Sequence, residues 1–353
     1  MTADIDPTRI IAPPHLEVRL DWLASRQELP IEPAREIVDA HHHLWDRPQT
    51  SGRYLLPELL SDIAHSGHRI TRTVYVQARS MYRVDGPEEL RPVGEVAFAS
   101  SVAREAASGP VQACAAIVGS ADLTLGDAVA PVLDALAEAG EGRLRGIRMP
   151  VAWHDDPEVR SSIVLPPRGL MHDPRFRSGA RRVAEAGLSL DVWAYHTQLD
   201  EIADLAASVP ELLVVVNHAG GPVGTGRHAG RPDDVFAEWR AGMQRLSERP
   251  NIRMKLGGLA MQVSGFRFHE AALPPSSEEL AQAWRPFVDT CIALFKPTRC
   301  LFESNFPVDK GMASYGCVWN AFKRLATGYS EAEKAALFAG TACDVYRISR
   351  EAE

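Results

Sequence analysis

Read for its apolar and polar positions, the chain switches between two periods. Short runs rich in Val, Ile and Leu recur at 37–43, 71–77, 111–118, 144–149, 188–196, 212–218, 251–256 and 300–305, which predicts eight β-strands. Between them the apolar residues return every three or four positions, as in "DAVAPVLDALAEAGEG", "PRFRSGARRVAEAG" and "QLDEIADLAASVP". That spacing predicts amphipathic helices. Gly140 and Gly187 stand where two of these helices should stop, and Ser330 with Glu333 has the spacing of a capping box at the head of a C-terminal helix. Strands alternating with helices imply parallel pairing through crossovers. Eight such units point to an α/β fold, a closed (β/α)8 TIM barrel over 36–353 with long βα loops. Residues 1–35, rich in Pro, Arg and Glu, read as an N-terminal extension packed on its outside. An open doubly wound sheet would need a glycine-rich phosphate turn after the first strand. Here that strand ends in histidines, and the glycines of "HAGGPVGTGRHAG" come after the sixth strand in the wrong order.

Composition narrows the partners. A net charge of -8 offers no dominant basic face, which argues against nucleic acid and against an anionic membrane surface. No apolar run reaches the roughly 20 residues that span a bilayer, and "MTADIDPTRIIAPPHLEV" lacks the basic and apolar blocks of a secretory signal. The five cysteines, Cys114, Cys291, Cys300, Cys317 and Cys343, are scattered without a CxxC pair. They read as reduced thiols of a cytoplasmic protein. The expected partner is a small-molecule substrate, and a homodimer is compatible with the sequence.

Candidate chemistry begins at "VDAHHHLWD". Strand side chains alternate faces, so His41 and His43 point one way and His42 the other. His196 closes the predicted fifth strand and His218 the sixth. The C-terminal strand ends are where barrel active sites are built. Four histidines at three such ends therefore predict one shared site, in which His-x-His is half of a plausible metal centre. Among the remaining histidines, His154 is the one expected to face the mouth. Arg148 ends the fourth strand and suits a carboxylate or a carbonyl oxygen; Arg79 and Tyr82, after the second, are expected to contribute similarly.

Taken together and in order, "DAHHHLWD", "YHTQLDEIADLA", "VVNHAGGP", "MKLGGLAM" and "LFESNFPVDK" resemble the amidohydrolase superfamily. The nearer resemblance is to its amidohydrolase-2 branch, which includes sugar lactonases and a pyrone-dicarboxylate lactonase. The resemblance implies His41, His43 and His196 as ligands of one divalent metal, zinc foremost, with a metal-free site left open, and His218 as a catalytic residue. The family usually ends its eighth strand in an aspartate that binds the metal or activates water. This chain has Asn305 there, and a neutral amide cannot take a proton from water. Glu303, one inward position deeper, Asp309 in the next loop, and a histidine are the three candidates for the missing base. Lys255 in the seventh strand is a candidate ion-pair partner for Glu303 and, with Arg148, an anchor for substrate.

Segments 78–95, 150–172 and 259–280 are long for βα loops and are expected to build the pocket, with Trp45, Trp153 and Phe306 lining it. These residues and the resemblance together predict a hydrolase that opens a lactone of a sugar acid or an aromatic-degradation intermediate. A metal-dependent non-oxidative decarboxylase of an aromatic acid is the enzymatic alternative. A barrel that has lost its chemistry and serves as a binding protein is the third.

Overall fold

The computed structural model describes residues 15–48, 50–162 and 164–350. Eight parallel strands pair in chain order: β1 (Glu36–His42), β2 (Arg69–Val76), β3 (Gln112–Gly119), β4 (Leu144–Arg148), β5 (Ser189–Val192), β6 (Val214–Val216), β7 (Ile252–Leu256) and β8 (Cys300–Phe302). The chain beyond β8 closes the ring on β1: Asn305 N donates to His41 O (2.9 Å) and His43 N to Phe306 O (2.7 Å). Asp39 strengthens that seam by accepting from Ser304 N (2.9 Å), Ser304 Oγ (2.6 Å) and Tyr315 OH (2.8 Å). The expected (β/α)8 barrel is the fold. The three quoted helical stretches form helices at Ala130–Ala139, Pro174–Glu185 and Leu199–Ser208.

Strand alternation sorts the side chains. Val74, Val76, Ala116, Val118, Val215 and Leu301 share one cluster inside the barrel with Tyr346 from the C-terminal helix. Their neighbours Tyr75, Ile117, Val214, Val216, Cys300 and Phe302 belong to the layer between strands and helices. β1 breaks this rule. Val38 and Ala40 point in, so strict alternation would send His41 out. An irregularity in the β1–β2 register between Asp39 and His42 shifts the phase by one residue. Such a bulge re-aims the side chains beyond it. His41 and His43 therefore turn into the mouth, while His42 turns out to Thr73 Oγ1 (2.8 Å).

Several strands stop earlier than their apolar runs suggest. β5 ends at Val192, β6 at Val216 and β8 at Phe302, where the sequence predicted 196, 218 and 305. His218 and Asn305 take φ of 56° and 55°, outside the extended region, and non-glycine residues adopt such values at a cost. Gly187 ends its helix with φ 66°, as a C-terminal glycine should. Gly140 does not: its φ is -74°, and its missing side chain instead makes room for Leu144, whose Cβ would lie 2.9 Å from a Cβ at 140. The capping box forms, with Ser330 Oγ donating to Glu333 Oε2 (2.7 Å) and Glu333 N to Ser330 Oγ (3.4 Å). Ser330→Ala should lower stability by about 1 kcal/mol, read as a reduced urea midpoint at unchanged slope.

Residues 15–35 run across the outside and are tied down by Trp22 Nε1 to Ala271 O (3.1 Å), Arg26 to Glu279 (2.6 Å) and Ile31 N to Asn320 Oδ1 (2.8 Å). Residues 1–14 of the expected extension lie outside the described residues. All five cysteines are buried and unpaired. Among the described residues no helix is long and apolar enough to cross a membrane.

Candidate active site

The site is a stack of two polar layers inside the barrel mouth. The deeper layer is an ion pair. Lys255 on β7 meets Asp191 on β5 at 2.9 Å, both fully buried. Asn217 Nδ2 (3.0 Å) and Tyr346 OH (2.9 Å) also donate to Asp191 Oδ2. Buried charges persist only when paired and hydrogen-bonded in this way. Lys255 also donates to His41 Nδ1 (3.3 Å), which links this layer to the one above.

The upper layer is built around Glu303. Its Oε1 accepts from the backbone N (2.9 Å) and the ring Nδ1 (2.7 Å) of His218. Its Oε2 lies 2.7 Å from His41 Nδ1 but off the hydrogen-bond direction, so no donor among the described residues serves it. Two glycines after β7 leave the space for this arrangement. A Cβ at Gly257 would stand 2.5 Å from Glu303 Cγ, and one at Gly258 2.3 Å from His218 Nδ1. His43 Nδ1 meets Val76 O at 2.8 Å; a carbonyl only accepts, so the proton sits on Nδ1 and the Nε2 lone pair faces His41 Nε2 at 3.2 Å. Arg148 Nη1 reaches His41 Nε2 (3.3 Å) and Asn217 Oδ1 (3.4 Å), and its Nη2 donates to Gln77 O.

Burial and nearby cations set the charge states. Burial, then Lys255, holds His41 well below the usual imidazole range; burial, then Arg148, does the same to His43. Burial also lowers His218, but there the Glu303 carboxylate opposes the shift. All three rings are neutral near pH 7, and of the two that line the cavity, His43 and His218, it is His218 whose protonated form has a counter-ion waiting.

A cavity opens above this layer. It is lined by His43, Trp45, Arg148, Trp193, His218 and Asn305, with Arg47, Arg79 and loop residues such as Ala152, Ser161 and Met261 around them. All three long loops thus reach it. Trp193 packs edge-on against His218 with ring centroids 4.8 Å apart.

Several expected residues are placed elsewhere. His196 does not join His41 and His43. Because β5 ends at Val192, Trp193 takes the inward position after Asp191, and His196 falls out of phase at the head of a helical turn. Its ring packs against His228 (5.2 Å) and accepts from Val223 N (3.2 Å). His154 and Trp153 line a neighbouring hollow with His228 and Glu238 rather than this cavity. Lys255 is sealed below the site by Asp191, so it neither pairs with Glu303 nor reaches substrate as an anchor. Asp309, a candidate base, is buried beneath Asn305, accepting from Asn305 Nδ2 (2.8 Å) and Ala260 N (3.2 Å). Burial pushes its carboxyl well above the usual range. Its neighbour Lys310 pairs with Asp62 instead (2.7 Å). Phe306 is fully buried against Tyr315 (4.9 Å), and Tyr82 sits beside Arg79 (5.9 Å); neither lines the cavity. Reading the sequence missed Asp191, Asn217, Trp193, Gln77 and Arg47. Asp191 alone carried a signal, as a lone carboxylate within an apolar strand.

The same geometry shows which groups fit a divalent ion. His41, His218 and Glu303 each offer a ligand atom within 4.8 Å of the others. Glu303 Oε2 and Asn305 Oδ1 are buried acceptors without a donor among the described residues. Buried acceptors of this kind call for a donor or a cation. With the His43 lone pair beside them, these residues form a nitrogen and oxygen donor set of the zinc class. It differs from the expected set in having His218 and Glu303 where His196 was placed.

Comparison with known proteins agrees with this architecture. The chain is 28% identical over 329 residues to the L-fucono-1,5-lactonase of Burkholderia multivorans, covering 90% of this chain and 97% of that one. It is 30% identical over 332 residues to protein y4mH of Sinorhizobium fredii, covering 88% and 98%. Among solved structures, an amidohydrolase from Burkholderia multivorans with bound zinc superposes with a TM-score of 0.67 at 23% identity, over 89% of this chain and all of the other. The amidohydrolase family model matches residues 38–348, nearly the whole barrel, and the chain belongs to that family.

Proposed function

We propose that this chain hydrolyses a lactone that carries a carboxylate. The observation that carries the reading is the set of groups facing the cavity: a histidine backed by a carboxylate, His218–Glu303, beside three guanidiniums, Arg47, Arg79 and Arg148, with no carboxylate among the described residues of the lining. The lactonase relative supports ring-opening chemistry, and the arginines favour an anionic substrate.

Each residue has a distinct part in the reaction. Glu303 holds the His218 proton on Nδ1, so Nε2 presents a lone pair as general base. As water attacks the carbonyl carbon, its proton passes to His218 Nε2, and Glu303 stabilises the imidazolium. This is the logic of a carboxylate–histidine pair. Arg148 meets the negative charge that develops on the carbonyl oxygen. When the ring C–O bond breaks, His218 returns the proton to the departing alkoxide. The product is a hydroxy acid, which releases one proton to solvent near pH 7. Asn305, its amide held by Asp309, keeps Oδ1 as an acceptor for the attacking water. The His41, His218 and Glu303 set could instead hold a divalent ion, which would supply Lewis-acid polarisation of the carbonyl in a state where His218 serves as a ligand and not as the base.

The test is acid release from matched lactones with and without a carboxylate. The carboxylate-bearing members should show the higher kcat/KM. Arg79 is exposed, so Arg79→Ala should raise their KM only about two- to fivefold, less at high salt. Preference for the neutral members, unmoved by Arg79→Ala, would remove the anionic reading.

A further inference from the structure

The N-terminal segment does more than cover the barrel. His15 lines the same cavity as His43, Trp45, Arg47 and Arg148. Its ring stacks on Trp45 with centroids 5.8 Å apart and planes within 9°, and Trp45 stacks on His43 at 5.9 Å and 22°. Three rings thus run from the histidine pair at the barrel mouth out to the segment before β1. Among the described residues the His15 ring nitrogens have no hydrogen-bond partner. Burial, then the charge of Arg47, lowers its pKa to about 4, so the ring is neutral near pH 7 and offers both a donor and an acceptor.

The segment is also anchored well away from the cavity. Besides the Trp22, Arg26 and Ile31 contacts, Ser277 N donates to Glu28 Oε1 (2.8 Å). Leu16, the next residue, packs onto Gly311 so closely that a Cβ there would lie 2.5 Å from Leu16 Cβ. These contacts supply the ordering that would otherwise cost backbone entropy each time a substrate bound.

We propose that His15 is a specificity-determining residue of this cavity: a substrate-contacting ring, delivered by the N-terminal segment, that binds the part of an anionic substrate remote from the reacting carbonyl. The kinetic half of this proposal rests on the lactonase reading; the binding half does not.

The experiment uses the full chain with His15→Ala and His15→Phe. Citrate serves as a hydroxy-carboxylate probe in calorimetric titration, and the preferred lactone serves for kinetics. His15→Ala should weaken citrate binding and raise KM by about 2- to 10-fold, with kcat within about twofold and an unchanged melting temperature. His15→Phe keeps the stack and loses the polar edge, so it should recover part of the loss. Trp22→Ala, which loosens the anchor outside the cavity, should move KM in the same direction. Unchanged Kd and KM in His15→Ala would overturn the proposal. So would a fall in kcat alone, or absence of citrate binding by the unaltered protein. Should no lactone be opened while citrate binding still depends on His15, the reaction assigned above fails and the role of His15 stands.

Discussion

Replacing His218 by alanine should lower kcat by about 10²- to 10⁴-fold, the usual contribution of a positioned general base, and leave KM within a few-fold. The reason is local. His218 is the cavity-facing ring whose other nitrogen is tied to a carboxylate, at 2.7 Å, and so the one whose proton gain is compensated. Glu303→Gln keeps the shape and removes the charge, and should produce much of the same loss. The pH profile gives the sign. A base must be unprotonated, and burial holds His218 below the usual imidazole value. Activity should therefore be flat through neutrality and fall only as pH drops below the ordinary histidine range. In Glu303→Gln the opposing carboxylate is gone, so that falling limb should move to still lower pH. A limb that stays in place would assign it to another group.

Arg148→Met should cost about 10²- to 10³-fold in kcat, the scale seen when one donor to a developing oxyanion is removed. Methionine keeps much of the volume but no hydrogen bonds. Arg148 is buried and fixed by Gln77 O and Asn217 Oδ1, so its guanidinium needs no reorganisation as charge builds. Arg148→Lys should recover little, because an ammonium lacks the planar fork that spans these acceptors. Loss confined to KM would instead make Arg148 a ground-state anchor.

The barrel was legible because its evidence is distributed. Eight apolar runs and their intervening helices all point to one closed sheet, and a misplaced strand end does not alter that sum. The site was legible only where a single residue's phase happened to be right. His41 and His43 face the mouth through a bulge that no apolar pattern announces; Val38 and Ala40 alone would have turned them outward. At β5 the pattern ran on to His196, but the strand ends at Val192, and Trp193 takes the inward position. Asp191 and Lys255 were visible as opposite charges in two apolar strands. That they pair with each other, and free Glu303 for the histidines, depends on which strands stand across the interior. Asp309 was expected in the loop over the mouth as a candidate base; the turn after Asn305 folds its carboxylate inward instead. Such contacts are set by tertiary geometry, to which local sequence is blind.

The central claim is that this cavity opens lactones with His218 as base. Its most direct test is acid release, tracked by pH indicator, from a panel of carboxylated and neutral lactones. The unaltered protein and His218→Ala would be run side by side, each with added divalent metal and with chelator. The unaltered protein should release one proton per lactone opened, and the variant should be slower by about 10²-fold or more. Failure of the metal-supplemented protein to open any lactone in the panel while an aromatic acid loses CO2, or full activity in His218→Ala, would rule this function out.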